Sequence, residues 1–342
     1  MNEHFWLGMG VIFICGALNG AFPLPMKYVR QWKWENTWLV FAVIALVAIP
    51  VLLATGFVPH LPDVYRGLPA RALLAPLVFG FLWGIAQVTF GLGISAVGMA
   101  PAFAVVAGLS CLSGSLIPLL VLSPADLFRP RGILLLVSMP ILFAGLILYG
   151  VAGRRREKEQ TPVAAAAAVG MSFVAGLGIC IFTGVFGSNI NLGFAFSGPL
   201  LKRAAAVGAD PVASTYASWV LVLGAGFIPN LAYCLLLLSR HGTWSRFLKP
   251  GWVREALLAA VMAVLWVSGM VGYGVGATLV GRYGTSLGYS LFVTAMILSS
   301  NLLGILAGEW KATSRTTRSL LAAAVAVILA AVLVLNLGGL FS

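Results

Sequence analysis

Leu82–Gly98 reads LWGIAQVTFGLGISAVG, and Leu265–Gly281 reads LWVSGMVGYGVGATLVG. At a constant offset the two stretches share a Leu-Trp pair, an aromatic-Gly-x-Gly sequence and a terminal glycine. Both lie in apolar runs long enough to cross a bilayer, which takes about 20 residues. The repeat predicts a duplicated membrane protein. Such proteins, with small residues and a few amides in their core, are most often carriers.

The composition places the whole chain in lipid. Of its 342 residues, 61% are hydrophobic and 9% are charged, and the mean hydropathy is +1.02. Soluble domains carry about 25% charged residues. The net charge of +12 would suit nucleic acid, but the Lys and Arg residues are spread between the apolar runs. The lipid bilayer is therefore the expected partner, and no nucleic-acid partner is expected.

Apolar runs of span length occur about ten times, which predicts an all-α integral membrane protein with ten transmembrane helices. Very short connections make hairpins of the third with the fourth and of the eighth with the ninth helix. The predicted spans are residues 5–24, 37–57, 73–95, 99–121, 132–152, 167–190, 213–238, 256–278, 285–306 and 318–339.

The charged segment Gly153–Pro162, GRRREKEQTP, divides these spans five and five. Because five is odd, the second half enters the membrane in the opposite orientation, which predicts a 5+5 inverted repeat. Residues 1–152 form the first five-helix repeat, 153–166 a cytoplasmic linker and 167–342 the second repeat. The odd-numbered connections carry twice as many Lys and Arg as the even-numbered ones, so both termini are predicted to be periplasmic.

The first and sixth spans are predicted to be interrupted at matching positions. Asn19–Pro25 contains two prolines, and Thr183–Asn191 is rich in Gly, Ser and Asn. Proline removes a backbone donor, and short polar residues weaken a helix. Interrupted segments in corresponding places of two halves point to a transporter's binding site near the bilayer midplane. Ordinary helix ends at the membrane interface are the alternative.

Polar and aromatic side chains inside the spans are the candidate substrate ligands. Gln87 follows Trp83 by four residues, so the two share a helix face. Amides offer donors and acceptors without charge, which suits a neutral sugar, and indoles can lie against a sugar ring. For any single amide, a helix–helix hydrogen bond worth roughly 0.6–2 kcal/mol is the alternative. The predicted substrate-binding residues are Trp83, Gln87, Asn189, Asn191, Trp266, Tyr273 and Tyr289.

Enzyme motifs are absent, and no cofactor or metal is expected, since the four cysteines lie in apolar runs without a CxxC pair. All nine acids lie at span ends or in connections. This argues against a cationic substrate, which a buried carboxylate would bind. Glu35 and Glu309, each at the edge of a span, are the candidates for proton coupling.

Pro25-Met26-Lys27 followed by Trp32–Trp38, WKWENTW, resembles the first-loop signature of the L-rhamnose–proton symporter family. Leu82–Leu92 is similar to that family's third span. The resemblance implies a ten-helix member of the drug/metabolite transporter superfamily, in a bacterial inner membrane, that takes up a sugar with protons. Members carry an ionisable residue in the ninth span, whereas Tyr283–Tyr289 here has no acid. Further matches are Gly208–Pro211, Gly224–Leu231 and Glu309-Trp310.

Three tryptophans of the first-loop signature, Trp32, Trp34 and Trp38, are interpreted as interfacial anchors rather than substrate contacts.

The predicted function is secondary active transport of a neutral sugar, L-rhamnose or a related deoxyhexose, by proton symport and alternating access. A gradient-driven exporter or facilitator of amino acids or other metabolites is the alternative. The expected partners are the sugar and protons, and the sequence is compatible with a monomer or a homodimer.

Overall fold

The computed structural model describes residues 5–122, 124–159, 171–280 and 288–337, and in these residues the chain folds into helices without strands. Helices dominate because lipid offers no hydrogen bonds, so each backbone group must be paired within its own segment. The α-helices are α1 Phe5–Ala21, α2 Trp34–Ala42, α3 Ile49–Phe57, α4 Leu61–Arg66, α5 Ala70–Val97, α6 Met99–Leu122, α7 Pro130–Glu159, α8 Phe173–Gly187, α9 Asn189–Ala195, α10 Gly198–Ala206, α11 Pro211–His241, α12 Trp252–Val280, α13 Tyr289–Leu306 and α14 Arg315–Leu337.

Eight helical segments of the described residues are long and apolar enough to cross a membrane. Each coincides with one of the ten predicted spans. The other two predicted spans, 99–121 and 285–306, contain the shorter apolar segments Pro101–Ser110 and Leu291–Leu306. The prediction of an all-α, multi-pass membrane protein is therefore confirmed, with eight spans rather than ten supported by length and composition. The eight are Phe5–Tyr28, Trp34–Phe57, Ala70–Val97, Gly132–Arg156, Phe173–Ala206, Pro211–His241, Trp252–Ala277 and Arg315–Leu335.

The chain forms two compact units, each assembled from several segments. Unit 1 comprises Met1–Ala21, Thr89–Val185 and Ser268–Ser342, and unit 2 comprises Phe22–Val88 and Phe186–Val267. Helix α7 continues to Glu159, so the first residues of the predicted linker 153–166 are helical. Residues 160–166 lie outside the described part of the chain, as do residues 281–287, which include the first three residues of the predicted ninth span, 285–306.

Unit 2 packs around α11, which contacts α2, α3 and α10. A π-helical turn, Val43–Ala48, joins α2 to α3 directly before Pro50, whose missing N–H removes one rung of the helical ladder. Helix α5 approaches α11 closely at glycines. A Cβ atom placed on Gly84 would lie 2.2 Å from the carbonyl oxygen of Gly226, so the two backbones touch.

Unit 1 packs α1 against α13 and α7 against α14. A Cβ atom on Gly16 would lie 2.4 Å from the carbonyl oxygen of Phe292, which shows the same backbone contact between small residues as in unit 2. The hairpin predicted between the third and fourth spans is present. Only Gly98 separates α5 from α6, and its φ of +94° is a conformation that glycine adopts without strain.

Both predicted interruptions are present as breaks in the helices. Helix α1 ends at Ala21 and is followed by a 3₁₀ turn, Leu24–Tyr28, in which Pro25 fixes the backbone. Helix α8 ends at Gly187, and α9 begins at Asn189 after a single residue. The helices are therefore interrupted at the proline-containing and polar segments, where the sequence predicts the interruptions.

Candidate functional site

Trp83 of α5 and Trp266 of α12 stack on each other in unit 2. Their ring centroids lie 6.0 Å apart with 27° between the planes. Phe41 of α2 meets Trp266 edge-on at 6.5 Å, and Gly226 lies against the six-membered ring of Trp83. The two matched tryptophans of the internal repeat are thus brought into contact with each other.

Gln87 lies one helical turn after Trp83 and is 5% exposed. Its Nε2 is buried and has no hydrogen-bond partner among the described residues. An unpaired buried amide donor costs about 1–3 kcal/mol relative to a paired one. Buried polar atoms without partners are rare in native proteins and call for an explanation, such as a ligand that supplies the missing acceptor.

The two asparagines that follow the break after α8 lie on α9. The Nδ2 of Asn189 donates to the carbonyl oxygen of Phe186 over 2.7 Å and so pairs one of the acceptors that the helix end exposes. Asn191 is the third residue of α9. The Asn189 amide therefore has a local structural partner, whereas Gln87 Nε2 has none in the described part of the chain.

The two predicted tyrosines belong to unit 1. Tyr273 of α12 and Tyr289 of α13 meet edge to face with centroids 5.8 Å apart, and Tyr273 also contacts Phe292 at 5.0 Å. The structure therefore brings Trp83 together with Trp266, and Tyr273 together with Tyr289.

Trp38 and Asn230 form a polar contact in unit 2 that sequence reasoning missed. The indole Nε1 of Trp38 donates to Asn230 Oδ1 over 2.8 Å. Asn230 Nδ2 donates to the carbonyl oxygens of Gly84, at 3.2 Å, and of Gly226, at 2.8 Å. Trp38 is fully buried, so its interpretation as an interfacial anchor is wrong. Interfacial anchoring requires a ring at the headgroup level, whereas this ring lies in the protein core.

Glu35, one of the two predicted coupling residues, is 2% exposed at the beginning of α2. Its Oε1 accepts a hydrogen bond from Thr243 Oγ1 at 2.8 Å and lies 3.1 Å from His241 Nδ1. Helix α11 ends at His241, and Gly242, with a φ of +63°, turns the chain so that Thr243 reaches the carboxylate. Histidine and threonine partners so far along the chain had no signal in the sequence.

Glu309, the other predicted coupling residue, lies at the junction of α5 and α6 in unit 1. Its Oε1 accepts the backbone N–H of Met99 at 2.9 Å, and a Cβ on Gly98 would lie 2.7 Å from its Oε2. On the other side of Gly98, Arg156 donates to the carbonyl oxygen of Val97 at 3.1 Å. An anion at a helix N-terminus and a cation at a helix C-terminus both stabilise the helix ends.

A cleft in unit 2 is lined by residues other than the predicted substrate-binding residues. Among the described residues, no group of three or more His, Cys, Asp or Glu side chains could hold a metal ion. A cleft of about 590 Å³ in unit 2 is lined by His60, Asp63, Arg66, Gly67, Arg203 and Val207. None of the predicted substrate-binding residues borders this cleft.

Nearly the full chain matches a protein-family model. Residues 1–340 match the family described as L-rhamnose-proton symport protein (RhaT). The chain belongs to this family. The expectation that the protein is a transporter and not an enzyme is thereby confirmed.

Relatives of the RhaT family align along nearly their whole length. The L-rhamnose-proton symporter of Cronobacter sakazakii is 26% identical over 339 residues, covering 96% of this chain and 97% of the relative. The L-rhamnose-proton symporter of Klebsiella pneumoniae is 25% identical over 347 residues, covering 99% of both chains. That of Shigella sonnei is 24% identical over 339 residues, covering 96% and 97%. No solved structure is significantly similar to the chain.

Proposed function

We propose that this RhaT-family protein takes up L-rhamnose, or a related deoxyhexose, together with protons by alternating access. The family match over residues 1–340 and the names of the full-length relatives support the reaction class and the sugar. They do not favour the alternative of an amino-acid exporter or facilitator.

One observation in the fold carries the substrate assignment. The buried Nε2 of Gln87, without a partner among the described residues, lies one turn from the stacked Trp83 and Trp266. A neutral sugar offers hydroxyl oxygens for such a donor and an apolar ring face for an indole. An amide beside aromatic rings therefore fits a sugar better than it fits a charged metabolite, which would need a counter-charge.

The two indoles stack on each other in the described conformation, so each ring covers the face that the other would present to a sugar. We propose that L-rhamnose binds in another conformation of the transport cycle, in which the rings separate. A ligand that binds one conformation better than another shifts the population towards it. Asn189, Asn191, Tyr273 and Tyr289 complete the proposed set of substrate-binding residues.

The proposed topology has ten spans in a 5+5 inverted repeat of residues 1–152 and 167–342, in a bacterial inner membrane. Eight spans are supported by length and composition, and we assign the remaining two to α6 and α13, which contain the shorter apolar segments Pro101–Ser110 and Leu291–Leu306. The excess of Lys and Arg in odd-numbered connections supports cytoplasmic placement of the linker 153–166 and periplasmic termini.

Transport by the purified protein in proteoliposomes tests the function. We expect radiolabelled L-rhamnose to accumulate above its external concentration when a proton gradient is imposed, and to equilibrate only when the gradient is collapsed with an ionophore. Equilibration without accumulation under the gradient would indicate a facilitator. If no L-rhamnose enters under either condition, the sugar assignment is wrong, and competition by other deoxyhexoses and by amino acids identifies the substrate class.

A further inference from the structure

Glu35 is a buried acid in contact with an exposed base. The Glu35 side chain is 3% exposed, whereas the side chain of His241, 3.1 Å away, is 54% exposed. Thr243 donates to the same carboxylate oxygen at 2.8 Å and so fixes its orientation. The amide of Asn36 donates to the carbonyl oxygen of Thr243 at 3.1 Å, which holds the turn after α11 against α2.

This arrangement gives a buried group a proton path to water. Histidine is the side chain that exchanges protons with solvent near neutral pH. A carboxylate that is buried without a counter-charge is costly, so the pair is most stable when it holds one shared proton and carries no net charge. Loss of that proton leaves a negative charge in a buried place, and the conformation that contains it becomes less stable.

The other titratable and charged groups near Glu35 are the candidates for a second partner of its carboxylate. Tyr233 and Cys234 of α11 face the carboxylate, and neither is a strong base or acid. Arg246 donates to the carbonyl oxygen of Gln31, and Arg254 pairs with the buried Glu255 at 3.0 Å. These two arginines are thus engaged elsewhere, and among the described residues His241 is the basic side chain in contact with the Glu35 carboxylate.

We propose that Glu35 and His241 form the proton-coupling pair of the transporter, an inference that rests on the proposed symport function. Glu35 takes up a proton in the conformation that is open to the periplasm and passes it from Oε1 to His241 Nδ1 over the 3.1 Å contact. The exposed imidazole then releases a proton to water. In the orientation that the loop charges predict, His241 lies on the cytoplasmic side, so the pair releases the proton there after inward transport.

The same two helices carry the link between this pair and the proposed sugar site. Helix α2 supplies both Glu35 and Trp38, and α11 supplies both His241 and Asn230. The Trp38–Asn230 hydrogen bond continues through the Asn230 amide to the carbonyl of Gly84, the residue after Trp83. A displacement of α2 against α11 that follows protonation therefore changes the support of the Trp83 indole. By linkage, if protonation strengthens sugar binding, the sugar must promote proton uptake equally.

Neutral variants measured in two transport modes test the pair. In Glu35→Gln we expect the gradient-driven accumulation ratio for L-rhamnose to fall at least tenfold, while exchange of internal for external L-rhamnose without a gradient continues. In lightly buffered detergent solution, L-rhamnose should cause proton uptake by the wild-type protein and none by Glu35→Gln. Glu255→Gln, which neutralises another buried carboxylate of unit 2, is the matched control and should keep both signals.

His241→Gln keeps the test decisive if Glu35→Gln fails to fold, because the half-exposed His241 side chain can be replaced without disturbing the core. Its accumulation ratio should fall towards that of Glu35→Gln, while exchange of L-rhamnose without a gradient continues. Gradient-driven accumulation by folded Glu35→Gln or His241→Gln at the wild-type level overturns the pair while leaving symport intact. Absence of both exchange and accumulation in the wild-type protein instead overturns the proposed function, and the coupling inference with it.

Discussion

The indole N–H of Trp38 and the amide of Asn230, 192 residues apart in the chain, are joined by a buried hydrogen bond of 2.8 Å. Asn230 also donates to the carbonyl oxygens of Gly84 and Gly226. One amide therefore ties α2, α5 and α11 together. Because this amide bonds to groups on three helices, its removal breaks more than one contact.

We expect Asn230→Leu to lower the free energy of unfolding by about 1–3 kcal/mol, because the Trp38 donor is left buried and unpaired. Trp38→Phe alone removes the donor and its packing. The double variant should lose less than the sum of the two single losses, since the shared hydrogen bond is counted twice in that sum. Thermal unfolding of the purified protein in detergent measures all three, and strictly additive losses would contradict the coupling.

The close contact between α5 and α11 predicts opposite changes in stability when two different glycines are replaced by alanine. Gly84→Ala places a methyl group 2.2 Å from the Gly226 carbonyl oxygen, which forces the helices apart and should cost about 1–3 kcal/mol. Gly224→Ala, on the same helix as Gly226, meets nothing within 4 Å and should stabilise by up to about 1 kcal/mol through helix propensity. Equal melting temperatures of the two variants would refute the contact.

The sequence predicted the helices well because lipid imposes a long apolar run on every span. Trp83 and Trp266 were found through the repeat, and the break after Gly187 through its polar residues. The contacts around Glu35 could not be found, since His241 lies 206 residues away and no local pattern relates them. Trp38 was assigned to the interface because a tryptophan side chain is apolar apart from one N–H donor. Such a side chain suits the lipid headgroup region and equally suits a protein core that supplies a hydrogen-bond acceptor.

Gln87 should show opposite effects on stability and transport. Gln87→Leu removes a buried donor that has no partner among the described residues, so the melting temperature should be unchanged or higher. It also removes the proposed hydrogen bond to the sugar, worth about 0.5–1.5 kcal/mol, which corresponds to a roughly 2- to 13-fold rise in KM. Initial rates of L-rhamnose uptake give KM. Gln31→Leu, which deletes an amide outside the proposed site, is the control and should leave KM unchanged.

The hydrogen bonds to Glu159 make the stability of unit 1 depend on pH in the acidic range. The backbone N–H of Ser314 and the hydroxyl of Thr317 donate to its carboxylate at 2.7 Å each, and these bonds lower the pKa of Glu159 below its ordinary value. Because the folded pKa is the lower one, this contribution to stability is present above the ordinary pKa and is lost as the pH falls through the folded pKa. The melting temperature of wild type should therefore exceed that of Glu159→Gln at pH 7.

That difference in melting temperature should shrink as the pH falls below the ordinary pKa of glutamate, and it should vanish once the pH lies below the lowered pKa of folded Glu159, where both side chains are neutral. Asp63→Asn, a neutral variant of an exposed acid in unit 2, serves as the control for general charge effects. A difference between wild type and Glu159→Gln that persists at low pH would mean that the carboxylate charge does not stabilise the beginning of α14.

Glu309 is the remaining acid that the sequence singled out for proton coupling, and its contacts predict a different role. Its carboxylate accepts the N–H of Met99 at the beginning of α6, and Arg156 donates to the last carbonyl of α5 while its guanidinium lies 5.1 Å from the Trp310 ring centroid. The two charges hold the one-residue turn at Gly98. Glu309→Gln keeps an acceptor but loses the charge, which should cost about 0.3–1 kcal/mol of stability. Gradient-driven accumulation of L-rhamnose by the folded variant should remain at the wild-type level, and an uncoupled Glu309→Gln that still exchanges the sugar would move the coupling site from Glu35 to Glu309.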